Sequence, residues 1–215
     1  MVVSRNQKEH SSSEAVPAVS STDEKTARIF RVAAGIFCER GFHATSIHEI
    51  AEAVQLTKAG LYYYIKGKRD LLYRIMDLAM QSIEEQVIEV AGDAGDPAER
   101  LRVVVREHAQ LVAQEGSAPF AILVDELEGL EVEEREAIAK RQRRYVRFIR
   151  SILDELKAAG RLRDGLDSLP AAYALLGMVL WTPRWYSEGG PLAPSDVARQ
   201  LSEMALASVL VPETS

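Results

Sequence analysis

Two short amphipathic segments, IHEIAEAV and KAGLYYY, lie only three residues apart in the first third of the chain. The first is about two helical turns long and can be capped by Thr45 or Ser46, and Thr57 stands at the cap position of the second. Gln55 and Leu56 form the tight turn between them. Helices this short cannot form a core alone, so both must pack on the segments before and after them. The pattern predicts a helix-turn-helix.

A longer helix precedes this pair and provides the surface on which it packs. Ser21 and Glu24 form a capping-box pattern, and apolar residues then repeat at helical spacing until Gly41 ends the helix. These repeating residues are Ala27, Phe30, Ala34 and Phe37. The sequence therefore predicts a first helix from about residue 23 to residue 40.

Three consecutive tyrosines occupy the second short segment. Successive helical residues are about 100° apart, so Leu61 and the tyrosines at 62, 63 and 64 cover more than half of the helix circumference. One or two of the tyrosines must face outward, unless all of them fill a core. Net charge is −6, but residues 23–80 hold nine Lys or Arg against seven Asp or Glu, while residues 81–215 hold fifteen against twenty-three. The first third is therefore the candidate polyanion-binding part.

The stretch AAGIFCERGFHATSIHEIAEAVQLTKAGLYYYIKGKRDLL resembles the DNA-binding domain of the TetR family of transcriptional repressors. The resemblance includes the ERGF turn, the Thr45 cap, the IAEAV helix, the GLYYYI recognition helix and the following GKRDLL. Isoleucine stands at position 65, where the family usually has phenylalanine, and this is a conservative apolar difference.

The resemblance implies that Tyr62 and Tyr63 reach phosphates and base edges of double-stranded DNA, while Leu61 and Tyr64 anchor the helix. Lys68 would begin the next helix beside the DNA backbone. Hydroxyl and lysine side chains at helix starts suit phosphate binding. The expected DNA contacts are Thr45, Ser46, Thr57, Lys58, Ala59, Gly60, Tyr62, Tyr63, Lys66 and Lys68.

The remainder of the chain also reads as helix, and no alternating β pattern competes over a useful length. Breaks near residues 92–97, 117–119, 129–134, 158–170 and 187–194 predict an all-α protein of about nine helices. We expect a disordered arm at 1–21, a helix-turn-helix DNA-binding domain at 22–82 and a ligand-binding and dimerisation domain at 83–215. No membrane span or signal peptide is evident, which predicts a cytoplasmic protein, and Cys38 is expected to be a buried thiol.

Enzyme signatures are lacking in residues 83–215. His108 is the single histidine there, no Cys/His cluster suits a metal, and no glycine-rich loop follows a strand. We therefore expect no enzyme activity, no metal and no cofactor. His108 itself is interpreted as a satisfied, partly buried side chain or, alternatively, as a titrating switch.

Two segments favour an anionic, mostly apolar ligand. In KRQRRYVRFIRSIL, Arg143, Arg147 and Arg150 share one helix face, which is either a solvated face paired with the upstream acidic EVEERE or an anion anchor. In LLGMVLWTPRWYSEGG, Trp181 and Trp185 are four residues apart, and Pro183 predicts a kink near Val179.

The tryptophan segment resembles the W-x-x-x-W-Y helix of TetR-type regulators of fatty-acid and steroid catabolism, many of which bind acyl-CoA thioesters. This resemblance implies an acyl-CoA, fatty acid or steroid-like effector, although the aromatic residues could instead pack in a dimer core or under a loop. The expected ligand contacts are His108, Arg147, Trp181, Arg184, Trp185 and Tyr186.

The sequence thus predicts a ligand-responsive repressor that binds a palindromic operator as a homodimer. Dimerisation is expected through the last two helices, near 170–182 and 195–210, because one helix-turn-helix alone reads too few base pairs. The alternatives are a DNA-independent helical binding or scaffold protein, and a helical enzyme.

Overall fold

The computed structural model describes residues 21–92, 94–114, 118–187 and 189–212. Within these ranges the chain forms nine helices and no strand, which confirms the predicted all-α class. The helices are α1 (Ser21–Arg40), α2 (Ile47–Ala53), α3 (Lys58–Tyr62), α4 (Lys68–Ile83), α5 (Pro97–Gln114), α6 (Ala118–Asp125), α7 (Val132–Ala158), α8 (Ser168–Leu180) and α9 (Pro194–Val209). The predicted arm, apart from Ser21, lies outside the described residues. The predicted capping interaction of Ser21 depends on a side chain that is not among those described.

The helical chain of α4 extends beyond Ile83. It continues through a π-helical turn, Glu84–Glu89, and a final turn, Val90–Gly92. Wider turns of this kind occur mostly as short insertions in α-helices, often at functional sites. Val87 within the π-helical turn is fully buried, so the wider turn keeps an apolar side chain in the core.

The first four helices form the N-terminal domain around a shared apolar core. Phe37 of α1, Ile50 of α2, Leu61 of α3 and Leu71 of α4 are all fully buried in it. Each of the two short helices contributes few core side chains, so their positions depend on α1 and α4, as the sequence predicts.

The start of α2 resolves a choice that the sequence leaves open. Ser46 is the cap: its hydroxyl accepts a hydrogen bond from the Glu49 amide at 3.2 Å, and the Glu49 carboxylate accepts one from the Ser46 amide at 2.7 Å. Thr45 is buried and donates its hydroxyl to the Gly41 carbonyl oxygen at 2.9 Å. Thr45 therefore closes the α1–α2 loop.

The C-terminal part is built around α5, which packs against α7, α8 and α9. Leu101, Ala109 and Leu111 of α5 are buried among these helices. The C-terminal end of the described chain is fixed by an isolated bridge between Leu162 and Leu210. Helix α6 packs instead on α1 and α4, so it connects the two parts of the protein.

Two sequence expectations are wrong. Cys38 is exposed: Phe37, the residue before it on α1, belongs to the buried stripe of the helix, and Cys38 lies outside that stripe. The tryptophan segment is not one kinked helix: α8 ends at Leu180 and is followed by a 3₁₀ turn, Thr182–Arg184. Pro183 lacks the amide hydrogen that the next α-helical bond requires, so the chain tightens at this point.

Candidate nucleic-acid interface and ligand cavity

The three tyrosines at the end of α3 and just after it differ in how far they are exposed to solvent. The Thr57 hydroxyl caps α3 by accepting a hydrogen bond from the Gly60 amide at 3.0 Å. Leu61 is fully buried and Tyr64 is partly buried, whereas Tyr62 is 45% exposed and Tyr63 is 80% exposed. The two phenols that were expected to meet DNA are thus the two that face solvent.

The anchoring of Tyr64 extends to α4 and α1. The Arg74 guanidinium donates a hydrogen bond to the Tyr64 carbonyl oxygen at 2.5 Å and lies 4.8 Å from the centre of the Phe30 ring. The Tyr63 and Tyr64 rings meet edge to face at 5.1 Å. These contacts fix the backbone that carries the exposed tyrosines.

Most of the other expected DNA contacts are also accessible. Side chains of Ser46, Thr57, Lys58, Ala59 and Lys66 are exposed, and Gly60 is partly exposed. Thr45 and Lys68 differ from this group. Thr45 is buried, and the Lys68 ammonium donates to the carbonyl oxygens of Phe42 at 2.8 Å and Thr45 at 2.7 Å.

The segment after α6, residues 126–131, joins the two parts of the protein, and sequence reasoning missed it. The Phe42 amide donates to the Glu126 carboxylate at 3.2 Å, and Arg69 donates to the Gly129 carbonyl oxygen at 3.3 Å and forms an ion pair with Glu131. Gly129 is buried so tightly that an added Cβ would lie 2.7 Å from a Leu72 methyl carbon. The sequence predicts only a helix break at this glycine, and no local pattern indicates its close packing.

A cavity of about 370 Å³ lies among α4, α5, α6, α7 and α8. Most of its wall is apolar. Exposed wall residues, among them Val124, Arg143, Tyr173 and Gly177, mark its opening, while His108 and Tyr145 are buried. The full wall comprises Met80, Ile83, His108, Leu123, Val124, Ala139, Gln142, Arg143, Tyr145, Val146, Tyr173, Leu176, Gly177 and Leu180. Mostly apolar walls with a few polar groups are typical of small-molecule sites.

His108 and Tyr145 form a hydrogen-bonded pair in this wall. The Tyr145 hydroxyl lies 3.2 Å from His108 Nδ1, and the two rings meet edge to face at 5.5 Å. Burial lowers the pKa of His108 to about 4 and raises the pKa of Tyr145, so both side chains are neutral near pH 7. His108 is thus fully buried, more than the sequence interpretation allowed, and does not titrate near pH 7.

Of the six expected ligand contacts, His108 alone lines this cavity. Trp181 is 64% exposed, Trp185 is also exposed, and Tyr186 follows them in an irregular segment. Arg184 forms an ion pair with Asp125 at 2.9 Å, and Arg147 is exposed on α7. Because α8 ends before Thr182, these aromatic side chains do not continue the helix face that lines the cavity.

The basic helix α7 has two different faces. Arg143 pairs with Glu136 of the upstream EVEERE segment at 2.6 Å, as expected for a solvated face, whereas Arg150 lies 3.6 Å from the downstream Asp154. Arg141 instead turns toward α4, where its guanidinium meets Asp77 at 2.5 Å and Glu84 at 2.8 Å. The hydrogen bond from Arg141 lowers the pKa of Glu84. These ion pairs connect α7 to α4 and to the π-helical turn that follows it.

Two further findings bear on the kind of site. Among the described residues, no three His, Cys, Asp or Glu side chains are grouped so that they could hold a metal ion. In the same part of the chain, no helix combines the length and the apolar character needed to cross a membrane.

Comparison with known proteins agrees with this architecture. Residues 29–85 match the bacterial regulatory proteins of the tetR family, and residues 94–209 match the tetracyclin repressor-like C-terminal domain. The crystal structure of AibR in complex with isovaleryl coenzyme A and operator DNA is 36% identical, with a TM-score of 0.72 over 84% of this chain and 97% of AibR.

Two relatives of known role resemble the chain over most of its length. The transcriptional repressor KstR2 of Mycolicibacterium smegmatis is 24% identical over 190 residues, 84% of this chain and 88% of KstR2. The fatty acid metabolism regulator protein of Bacillus subtilis is 26% identical over 156 residues, 72% of this chain and 79% of that protein. The chain therefore belongs to the TetR family, a family of DNA-binding transcriptional regulators rather than enzymes.

Proposed function

We propose that this protein is a homodimeric repressor in the cytoplasm that binds a palindromic operator through residues 22–82 and is released by an acyl-CoA bound within residues 83–215. The observation that carries the DNA-binding part is the exposure of Tyr62, the last residue of α3, and Tyr63, which follows it, while Leu61 of the same helix is fully buried in the core. Exposed phenols on a rigid helix can hydrogen-bond to phosphates and base edges without disturbing the fold.

The cavity supports the acyl-CoA assignment by its size. A volume of 370 Å³ holds about a dozen groups of the size of a water molecule, since one water occupies about 30 Å³ of liquid. An acyl chain of moderate length fits that volume, whereas the much larger coenzyme A head does not. The head must remain outside, next to the opening.

Charge at the opening supports the same assignment. Arg143 lines the rim, and Arg144 and Arg147 lie exposed nearby on α7. Guanidinium groups bind phosphates well because their donors match phosphate geometry. AibR, which is similar over most of the chain, has been crystallised with isovaleryl coenzyme A and operator DNA. A fatty acid or a steroid-like compound is the alternative effector.

The surface of α8 supports dimerisation. Leu169 is 40% exposed in the first turn of α8, and Trp181, which directly follows the last residue of α8, is 64% exposed. Met204 and Val211, in and just after α9, add exposed apolar surface. A second copy of the chain would cover this surface, and two-fold symmetry would present two recognition helices to a palindrome.

Release requires the effector to bind the DNA-incompetent arrangement more tightly than the competent one. Leu123 and Val124 of the cavity wall lie near the end of α6, and Glu126 and Gly129, which contact Phe42 in the DNA-binding domain, follow within five residues. A shift of α6 would therefore be transmitted to the loop before α2. A tenfold loss of operator affinity corresponds to about 1.4 kcal/mol of such coupling.

A gel-shift titration with DNA from upstream of the protein's own gene tests this function. The dimer is expected to retain a fragment that contains an inverted repeat, and valeryl-CoA is expected to release it. Free valerate and coenzyme A are the matched controls, and each is expected to leave the complex intact. If the protein retains no upstream DNA fragment, the proposed repressor function is wrong. If it retains a fragment that no acyl-CoA releases, the proposed effector class is wrong.

A further inference from the structure

One side chain that lines the cavity carries a buried polar atom without a hydrogen-bond partner in the described part of the chain. His108 is only 2% exposed, its Nδ1 faces the Tyr145 hydroxyl, and its Nε2 has no hydrogen-bond partner within the described part of the chain. Buried polar atoms are nearly always paired, and an unpaired one weakens the folded state. A ligand atom is a natural partner, because His108 lines the cavity.

We infer that a neutral oxygen atom of the effector hydrogen-bonds with the His108–Tyr145 pair, so that the cavity selects ligands with a carbonyl or hydroxyl group there over a plain hydrocarbon or a carboxylate. The inference rests on the proposed acyl-CoA effector and specifies which part of that molecule is recognised.

The His108–Tyr145 pair suits a neutral partner, because it is uncharged and can offer a hydrogen-bond donor or an acceptor. If the Tyr145 hydroxyl donates to Nδ1, then Nε2 carries the proton and donates to a carbonyl oxygen. If Nδ1 carries the proton, it donates to the Tyr145 oxygen. In that case Nε2 can accept a hydrogen bond from a ligand hydroxyl, and the Tyr145 hydroxyl can donate one to it. In both tautomers the pair is uncharged, because burial holds the His108 pKa near 4.

The rest of the wall disfavours a buried carboxylate. Arg143 is the one cationic side chain among the described residues that line the cavity, and it is exposed and paired with Glu136. A carboxylate beside His108 would lose its hydration without gaining a cation, which is costly. Free fatty acids are therefore expected to bind poorly if they enter with the carboxylate inward.

Two oxygen atoms could make this contact: the carbonyl oxygen of the thioester, or an oxygen further along the acyl chain. Four five-carbon probes distinguish them. Within the five-carbon group, valeryl-CoA has only the thioester carbonyl, S-pentyl-CoA has no oxygen atom, levulinyl-CoA adds a chain ketone, and glutaryl-CoA ends in a carboxylate. Their dissociation constants for the full-length wild-type protein can be measured by calorimetry.

If the thioester carbonyl is recognised, valeryl-CoA binds about tenfold more tightly than S-pentyl-CoA, the factor expected from leaving a buried donor unpaired. If the chain oxygen is recognised, levulinyl-CoA binds about tenfold more tightly than valeryl-CoA. Glutaryl-CoA binds most weakly in either case. Dissociation constants within threefold of one another for valeryl-, S-pentyl- and levulinyl-CoA overturn the inference.

Substitutions at His108 connect the preference to this side chain. His108→Phe removes both nitrogens and is expected to abolish the tenfold difference, while His108→Gln restores a neutral donor and is expected to retain it. Infrared spectra of carbonyl-labelled probes on the wild-type protein do not depend on variant folding. We expect a lowered carbonyl stretching frequency in the bound ligand. If neither the thioester band nor the ketone band shifts on binding, the contact is contradicted.

Failure of the inference can be told apart from failure of the proposed function. If none of the four coenzyme A derivatives binds, the acyl-CoA effector is wrong and the inference falls with it. If they bind equally and release operator DNA, the effector class stands and recognition by His108 is wrong.

Discussion

The Lys68 ammonium donates a hydrogen bond to the carbonyl oxygen of Thr45 at 2.7 Å, although 23 positions separate the two residues in the sequence. The same ammonium lies 4.4 Å from the centre of the Phe42 ring. A lysine expected beside the DNA backbone thus also holds the loop that leads into the helix-turn-helix. Its removal should affect folding as well as binding.

Lys68→Met is expected to lower the free energy of unfolding by about 1–2 kcal/mol, because it leaves several carbonyl oxygens without their charged donor. Thermal denaturation measures this effect. Lys66→Met is the matched control: Lys66 is exposed, so stability should be unchanged while the slope of log affinity against log salt falls by about one. Equal stability of the two variants would show that the Lys68 contacts contribute nothing.

Tyr63→Ala is expected to abolish specific operator retention and leave the thermal transition unchanged, since its side chain is 80% exposed and supports little of the core. Gel shifts at physiological salt and circular dichroism measure the two properties. Tyr64→Ala should instead lower the melting temperature, because Tyr64 is partly buried and packed against the core. Normal operator affinity in Tyr63→Ala contradicts the predicted contact.

Gly129→Ala is expected to destabilise the protein by about 1–3 kcal/mol, the usual cost of overpacking. The new methyl group would lie 2.7 Å from Leu72 and 2.8 Å from Phe42, both of which are buried and cannot easily move. Gly35→Ala provides the control, as nothing lies within 4 Å of its added Cβ. This helical change should be neutral or stabilising by up to about 1 kcal/mol. Equal melting temperatures for the two variants contradict the tight packing.

Stability should fall as the pH is lowered from about 6.5 toward 4. The pKa of His108 is about 4 in the folded protein against an ordinary value of 6.5, so the unfolded chain binds a proton in this range that the folded protein does not. The loss amounts to about 3 kcal/mol at roughly 1.4 kcal/mol per pH unit. Denaturation at a series of pH values measures it, and His108→Leu, which cannot titrate, should show a shallower dependence. If the unfolding free energies of the wild-type protein and of His108→Leu change with pH in parallel, His108 makes no contribution.

Met204→Glu is expected to produce a monomer that no longer binds operator. Met204 is 58% exposed on α9, and a carboxylate buried between two copies would be costly. Light scattering at micromolar concentration measures the mass. Val90→Glu serves as the control, because Val90 is also apolar and is 47% exposed, and it belongs to the α4 extension rather than to α8 or α9. A wild-type protein that is monomeric and still binds operator contradicts the dimer.

The helices and the two outward tyrosines could be predicted because they depend on local patterns. Caps, glycine stops and the spacing of Leu61 among the tyrosines act within a few residues of one another. Lys68 was harder to assign, since its partners at 42 and 45 belong to a different loop. No local signal distinguishes a lysine that binds phosphate from one that binds carbonyl oxygens.

The ligand cavity was less predictable because five helices form it. Trp181 and Trp185 suggested a continuous aromatic helix, but Pro183 ended α8 instead of bending it, and the aromatic side chains left the cavity face. The pairing of Tyr145 with His108, 37 positions away, follows only from how α5 and α7 pack. Periodicity indicates which side of a helix is inside and not which helix it meets.

The fit of Gly129 against Phe42 and Leu72 also limits how regulators of this kind can be recombined. A chimera that joins this DNA-binding domain to another effector domain must bring residues 126–131 along, or accept a side chain where there is room only for hydrogen. The workable exchange point therefore does not lie in α4 alone. The DNA-binding unit, as a transferable part, consists of two pieces of chain that are about sixty residues apart in sequence.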